Sequence, residues 1–191
     1  MLGVVLISAV FTGIIISAIT PKPMFHGDYP YYPDVASITD AADVVIIGKV
    51  VTANDVKELM IDKTPNKADK ETTPYTLSTV KVTRVVKGNV QVGDMITIKQ
   101  LGDYQSKPEA ALYAMDGYLK KDSVGLMFLC KYDDSPYSAV NPAQGIVQVI
   151  NDNELYSSNK YSVFGYSDSS TKREEVESLD KVIAKIKENI D

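Results

Sequence analysis

Between residues 43 and 156 the chain is a succession of short apolar runs, many of them β-branched, separated by turn residues, and no helix of crossover length lies between successive runs. Parallel neighbours in a sheet need a crossover of a dozen or more residues, so these segments are expected to pair antiparallel. The first run, Asp43-Val44-Val45-Ile46-Ile47-Gly48-Lys49-Val50-Val51, is too short for a globular helix and has the composition of a buried strand. Residues 54–75 then turn polar, with Pro65 and Pro74 inside, which predicts an exposed loop or ragged hairpin connection with Leu59-Met60-Ile61 docked on the core.

Alternation resumes at residues 77–87, where Val80 and Val82 mark the inner face of a strand ended by Gly88-Asn89. Residues 95–101 set Ile96, Ile98 and Gln100 opposite Met95, Thr97 and Lys99. A loop over 102–121 includes a helix-compatible piece at 108–115, and residues 123–132 are the most apolar strand, expected at the centre of the sheet. Strands over 137–140 and 146–150 flank Asn141-Pro142-Ala143-Gln144-Gly145, and Asn151-Asp152-Asn153 turns into Leu155-Tyr156. Two helices complete the pattern. Asp34 is placed to cap a short one over 34–42, with Val35, Ile38 and Ala42 on one face. A longer one over 171–190 opens on the capping pair Thr171 and Glu174 and carries the stripe Val176, Leu179, Val182, Ile183, Ile186 and Ile190. The expected fold is mainly β: a small antiparallel barrel of five or six strands, closed or nearly so, with a C-terminal amphipathic helix.

Ahead of this domain, residues 1–20 contain no charged side chain. As a helix, residues 2–20 would reach roughly 28 Å, close to the hydrocarbon thickness of a bilayer. An uncleaved N-terminal transmembrane helix is favoured over a cleaved signal, because no basic residue precedes the run and the best cut site, Ala18-Ile19-Thr20, would put Pro21 just beyond it. A buried core helix is the third alternative. No cysteine near residue 20 offers a lipid anchor, and Lys22 alone lies near either end, too little to set orientation. Residues 21–33, with four prolines and the tyrosines Tyr29, Tyr31 and Tyr32, are expected to be an extended tether or an aromatic cluster at the membrane interface. Residues 34–191 then form a single domain of a size that can bury its own core. The location expected is the cell membrane, single-pass with the domain extracytoplasmic, or the exterior if the segment is cleaved.

Chemistry-bearing constellations are sparse. One histidine, His26, and one cysteine, Cys130, cannot supply a zinc site or a Ser-His-Asp or Cys-His triad. His26 falls in the tether and is expected to be solvated. Cys130 follows an apolar run and is expected to be a small buried hydrophobe without a disulfide partner. Asn151-Asp152-Asn153-Glu154 is too short for an EF-type calcium loop and is expected to be a hairpin turn. No cofactor is expected. The net charge of −5 and a pI near 5.0 argue against nucleic acid and anionic lipid as partners.

Three segments in order, Ala42-Asp43-Val44-Val45-Ile46-Ile47-Gly48-Lys49-Val50, Thr79-Val80-Lys81-Val82-Thr83-Arg84-Val85-Val86-Lys87-Gly88 and Gly93-Asp94-Met95-Ile96-Thr97-Ile98, resemble the netrin-like and tissue-inhibitor-of-metalloproteinase-like OB fold. Leu126-Met127-Phe128-Leu129 is similar to a later strand of that family, and Gln144-Gly145 to the turn before its last strands. The resemblance spans roughly residues 34–190 and implies an OB barrel, of the kind found in surface proteins of Gram-positive type. Inhibition by that family uses an N-terminal cysteine whose amine and carbonyl chelate the protease zinc; this chain has none there, so that activity is not implied. The function expected is a membrane-anchored extracytoplasmic binding or interaction module without enzymatic activity, held through residues 2–20, with an unidentified protein or cell-envelope partner. The rivals are a carbohydrate-active or other hydrolase using carboxylates not evident in sequence, and a purely structural envelope protein.

Overall fold

Apolar side chains on both faces of one strand organise the whole domain. In the computed structural model, which describes residues 29–60, 72–103, 118–151, 153–156, 163 and 178–190, the elements run α1 (Val35–Ala41), β1 (Val44–Met60), β2 (Thr72–Lys87), β3 (Met95–Leu101), β4 (Val124–Cys130), β5 (Ser138–Ala139), β6 (Ile146–Ile150), β7 (Glu154–Tyr156) and α2 (Leu179–Glu188). The fold is mainly β. Its strands pair antiparallel in one seven-stranded sheet of order β3-β2-β1-β4-β6-β7, with β5 pairing β4 off this path. The sheet is not closed, and seven strands stand where five or six were expected: β5 is shorter than the expected strand over 137–140, and β7, three residues long, is added at the edge.

β1 pairs with β2 on one side (Ile46↔Val85, Val50↔Val80) and with β4 on the other (Val44↔Leu129, Ile46↔Met127, Gly48↔Gly125). Alternation sends Val44, Ile46 and Val50 into a cluster with Val80, Val82, Ile96, Ile98, Met127 and Leu129. It sends Val45 and Ile47 the other way, into a cluster with Leu126, Phe128, Val147 and Val149 that the two helices cover. Gly48 and Gly125 face each other across the strand pair. A Cβ on Gly48 would collide with the Val80 side chain, so the strands approach closely only because glycine stands there.

Where it is described, the polar stretch over 54–75 takes the second of its two expected forms, a ragged hairpin. β1 continues to Met60 and β2 starts at Thr72, paired from Asp55↔Leu77 to Met60↔Thr72, while Ile61 lies outside the described residues. A two-stranded ribbon satisfies its backbone through inter-strand hydrogen bonds and needs no apolar face, so composition alone does not decide between it and a loop. Register shifts between Val50 and Asp55 put Asn54 in the left-handed region, with φ 72°. Near this irregularity the Oδ1 of Asn54 and the Oγ of Ser78 are buried without a hydrogen-bond partner.

α1 forms as its cap predicts: the Ser37 amide donates to Asp34 Oδ1 at 2.8 Å and the Asp34 amide to Ser37 Oγ at 3.3 Å. α2 departs from expectation at its start. Residue 178 is extended (φ −65°, ψ 145°) and bridges Glu154, so a continuous helix over 171–190 is ruled out; Thr171, Glu174 and Val176 lie outside the described residues. The cap comes from the β6–β7 turn instead, where Asn153 accepts from the Leu179 amide through its carbonyl oxygen and from the Asp180 amide through its Oδ1. Leu179, Val182, Ile183 and Ile186 are buried as their spacing requires, whereas Ile190 is 43% exposed. Asp180 in the first turn and Lys185 and Lys187 in the last complement the helix dipole.

The described end of the tether is fastened to the domain. Pro30 O accepts from Asn141 Nδ2 at 2.8 Å, and the Gln144 side chain both accepts from the Tyr32 amide (3.0 Å) and donates to its carbonyl (2.8 Å). Gln144 is 1% exposed, so its amide serves as a buried surrogate for a strand backbone. The segment over 2–20 and the piece at 108–115 lie outside the described residues; among the described residues no helix is long and apolar enough to cross a membrane.

Ile183→Ala should lower the unfolding free energy by about 2–5 kcal/mol, and Ile190→Ala by well under 1 kcal/mol, as read from urea midpoints. Equal, small losses at the two positions would show that α2 is not docked.

Candidate functional site

At the N-terminal end of α2, Leu179 stands beside the sheet face that carries Ile47 and Val149. The result is a groove of about 410 Å3 lined by Ile47 and Lys49 of β1, Thr83 and Arg84 of β2, Val124 of β4, Val149 of β6, Asn151 and Leu179. Its size falls within the range of small-ligand pockets. The floor is apolar, formed by Ile47, Val149 and Leu179, all buried, together with half-buried Val124.

Two cations stand at the groove, each beside an exposed carboxylate. Arg84 Nη1 lies 3.4 Å from Asp180 Oδ1, and Lys49 Nζ lies 3.5 Å from Asp122 Oδ1. Each position has a local cause. The cross-strand pair Ile47↔Arg84 sets the guanidinium beside the floor. Asp122 takes a left-handed φ of 68° and donates its amide to Val50 O, which brings its carboxylate to Lys49. Thr83 Oγ1 donates to Ile47 O at 2.9 Å, and Asn151 Nδ2 donates to Glu154 Oε2 at 3.1 Å. Exposed pairs of this kind contribute little to stability, so an incoming anion can displace either carboxylate at small cost. The groove is therefore suited to a ligand with an apolar body and an acidic group.

No protein-family model matches this chain, and no curated protein does. The groove's chemistry accordingly rests on its own residues.

Of the residues weighed in sequence, Cys130 is half-buried at the end of β4, where burial and then the nearby Asp43 push its thiol pKa up, disfavouring the nucleophilic thiolate. Asn151, Asn153 and Glu154 shape a turn and cap α2, with Asn153 donating its amide to Asn151 O at 2.8 Å. Asp152 and His26 lie outside the described residues. Lys49 and Arg84 carry no signature of a site in the sequence, since only the β1–β2 register brings them to one groove.

A second polar centre lies on β3. Lys99 Nζ sits 4.2 Å from the ring centroid of Tyr132 and 5.6 Å from that of Tyr75, and donates to Ser135 Oγ at 2.6 Å. Burial pulls the Lys99 pKa down, and Asp134 works against that shift. The Tyr132 hydroxyl pairs with Ser138 Oγ at 2.9 Å.

Arg84→Ala and Lys49→Ala should each change the unfolding free energy by less than about 1 kcal/mol. A loss above about 2 kcal/mol in urea titration would make these cations structural members rather than a surface available to a ligand.

Proposed function

We propose that the protein is a membrane-anchored, extracytoplasmic binding module without enzymatic activity, held by residues 2–20, which takes a ligand with an apolar body and an acidic group in the groove between the sheet and the start of α2. One observation carries this proposal: among the described residues, an apolar floor at the N-terminal end of α2 has Lys49 and Arg84 beside it in a protein of net charge −5. A cationic spot in an acidic molecule selects for the sign of a ligand's charge even where the whole protein repels it.

We further propose that the domain is an OB-like barrel left open, of the netrin-like kind that the sequence resembles. Support comes from the strand order β3-β2-β1-β4, with β5 pairing β4 and the neighbouring Tyr137 bridging Ile98 of β3 in parallel. Tyr137 donates its amide to Thr97 O at 3.0 Å and accepts from the Lys99 amide at 2.8 Å, so the backbone returns from β4 to the first edge of the sheet. OB barrels use one open face for extended ligands, and in this chain acidity disfavours nucleic acid there.

The test is photo-crosslinking in intact cells of the full chain carrying a photoreactive residue in place of Thr83, with externally added protease reporting on which side the domain lies. A discrete adduct that Arg84→Glu abolishes, on a domain digested without lysis, is the expected result. A domain protected until lysis contradicts the location, and an adduct that persists in Arg84→Glu, or none, contradicts the groove.

A further inference from the structure

We propose that a tyrosine face around the point where the chain enters the domain, formed by Tyr29, Tyr31, Tyr75 and Tyr132 with Lys99 among them, rests in the headgroup layer of the bilayer that residues 2–20 enter. The proposal rests on the membrane-anchor reading above and adds to it the orientation of the domain.

Tyr29, Tyr31 and Tyr132 are 42%, 64% and 43% exposed, three of the few large apolar or aromatic side chains left open among the described residues. They belong to one region. The Tyr132 hydroxyl pairs with Ser138 Oγ at 2.9 Å, and Asn141, three residues further on, holds the carbonyl of Pro30, between Tyr29 and Tyr31, at 2.8 Å, which brings these distant parts of the sequence to one place. The ammonium of Lys99 joins Tyr75 to Tyr132, since it lies over both rings. Tyrosine rings and lysine stems share one preference: an apolar body accommodated at the acyl boundary and a polar tip kept among headgroups. A single exposed ring needs no explanation, but a grouped set calls for a partner surface.

Chain length decides which partner. Eight residues separate Thr20 from Tyr29, and a fully extended chain covers at most about 3.6 Å per residue, so Tyr29 cannot lie farther than about 30 Å from the end of the apolar segment. The fastening of Pro30 and Tyr32 by Asn141 and Gln144 holds Tyr29 and Tyr31, the first tyrosines after the anchor, against the domain at this face. The face that emits the anchor is thus the face turned to the membrane. Asp134 lies near Lys99 and the protein is acidic overall, so the surface fitted is zwitterionic rather than anionic lipid.

The chain has no tryptophan, which makes single-tryptophan reporters unambiguous. The full chain carrying Tyr31→Trp or Tyr132→Trp is reconstituted into phosphatidylcholine vesicles, with and without lipid brominated near the headgroup end of its acyl chains. Tyr156→Trp on β7, at the opposite end of the strand order from β3, serves as the comparison. Tyr31→Trp and Tyr132→Trp should lose most of their fluorescence to the brominated lipid while Tyr156→Trp keeps its own. If the chain floats with the vesicles and neither reporter is quenched beyond Tyr156→Trp, the face is overturned and the anchor stands; a face reserved for a protein partner gives this same result. If the chain does not float with the vesicles, the anchor reading fails and takes the proposal with it.

Discussion

Burial of β1 and β4 on both faces is the constraint from which the rest of the structure follows. Val44 and Ile46 with Met127 and Leu129 close one cluster, and Val45 and Ile47 with Leu126 and Phe128 close the other, so the strand pair is the shared wall of two cores. In a sheet with one wet face, a one-residue slip is forbidden because it would put apolar side chains in water. That rule is weak here, since both faces are dry. Register depends instead on shape: Gly48 must face Gly125 and pass under Val80, and irregularities between Val45 and Ile46, between Ile47 and Gly48 and between Val50 and Asp55 fit the strand to β2. The two helices cover the face that carries Phe128, and Leu179 at the start of α2 lines the groove.

The surface chemistry depends on the same geometry. Net charge alone would describe a uniformly acidic domain that repels anions. The strand pairing places Arg84 beside the apolar floor that Ile47 helps to form, and the loop before β4 brings Asp122 to Lys49, so two ion pairs stand at the groove. Neither carboxylate is buried, which leaves both ion pairs exchangeable. Lys99 is different: two tyrosine rings and a serine hydroxyl surround its ammonium, and that contact draws separate parts of the chain into one face.

What the sequence disclosed was the part governed by period. β2 from Leu77 onward, β3, β4 and β6 were legible because their apolar residues either alternate or run continuously, and α1 because Asp34 and Ser37 complete a local hydrogen-bond pattern. The polar ribbon over Asp55–Met60 and Thr72–Thr76 was legible only as one of two alternatives, since its stability lies in backbone pairing that leaves no trace in hydropathy. The start of α2 was misplaced because its cap, Asn153, lies 26 residues upstream, beyond any local signature. The clamp of Gln144 on Tyr32 spans 112 residues and uses an uncharged side chain, so nothing in composition marks it. The groove failed to show for a related reason: its eight lining residues come from four strands, a turn and a helix, and only the tertiary register assembles them.

Native-state hydrogen exchange measures the central claim most directly. If β1 and β4 are the common wall of both clusters, the amides of Val45, Ile46, Ile47, Leu126, Met127 and Phe128 should exchange only through global unfolding, with one free energy equal to that from urea denaturation. Amides of α2 and β3, each tied to a single cluster, should exchange through smaller openings or at that same limit. The account is contradicted if the β1 and β4 amides open at a free energy well below the global value while those of α2 or β3 stay protected, because the wall would then be lost before the layers it is said to hold.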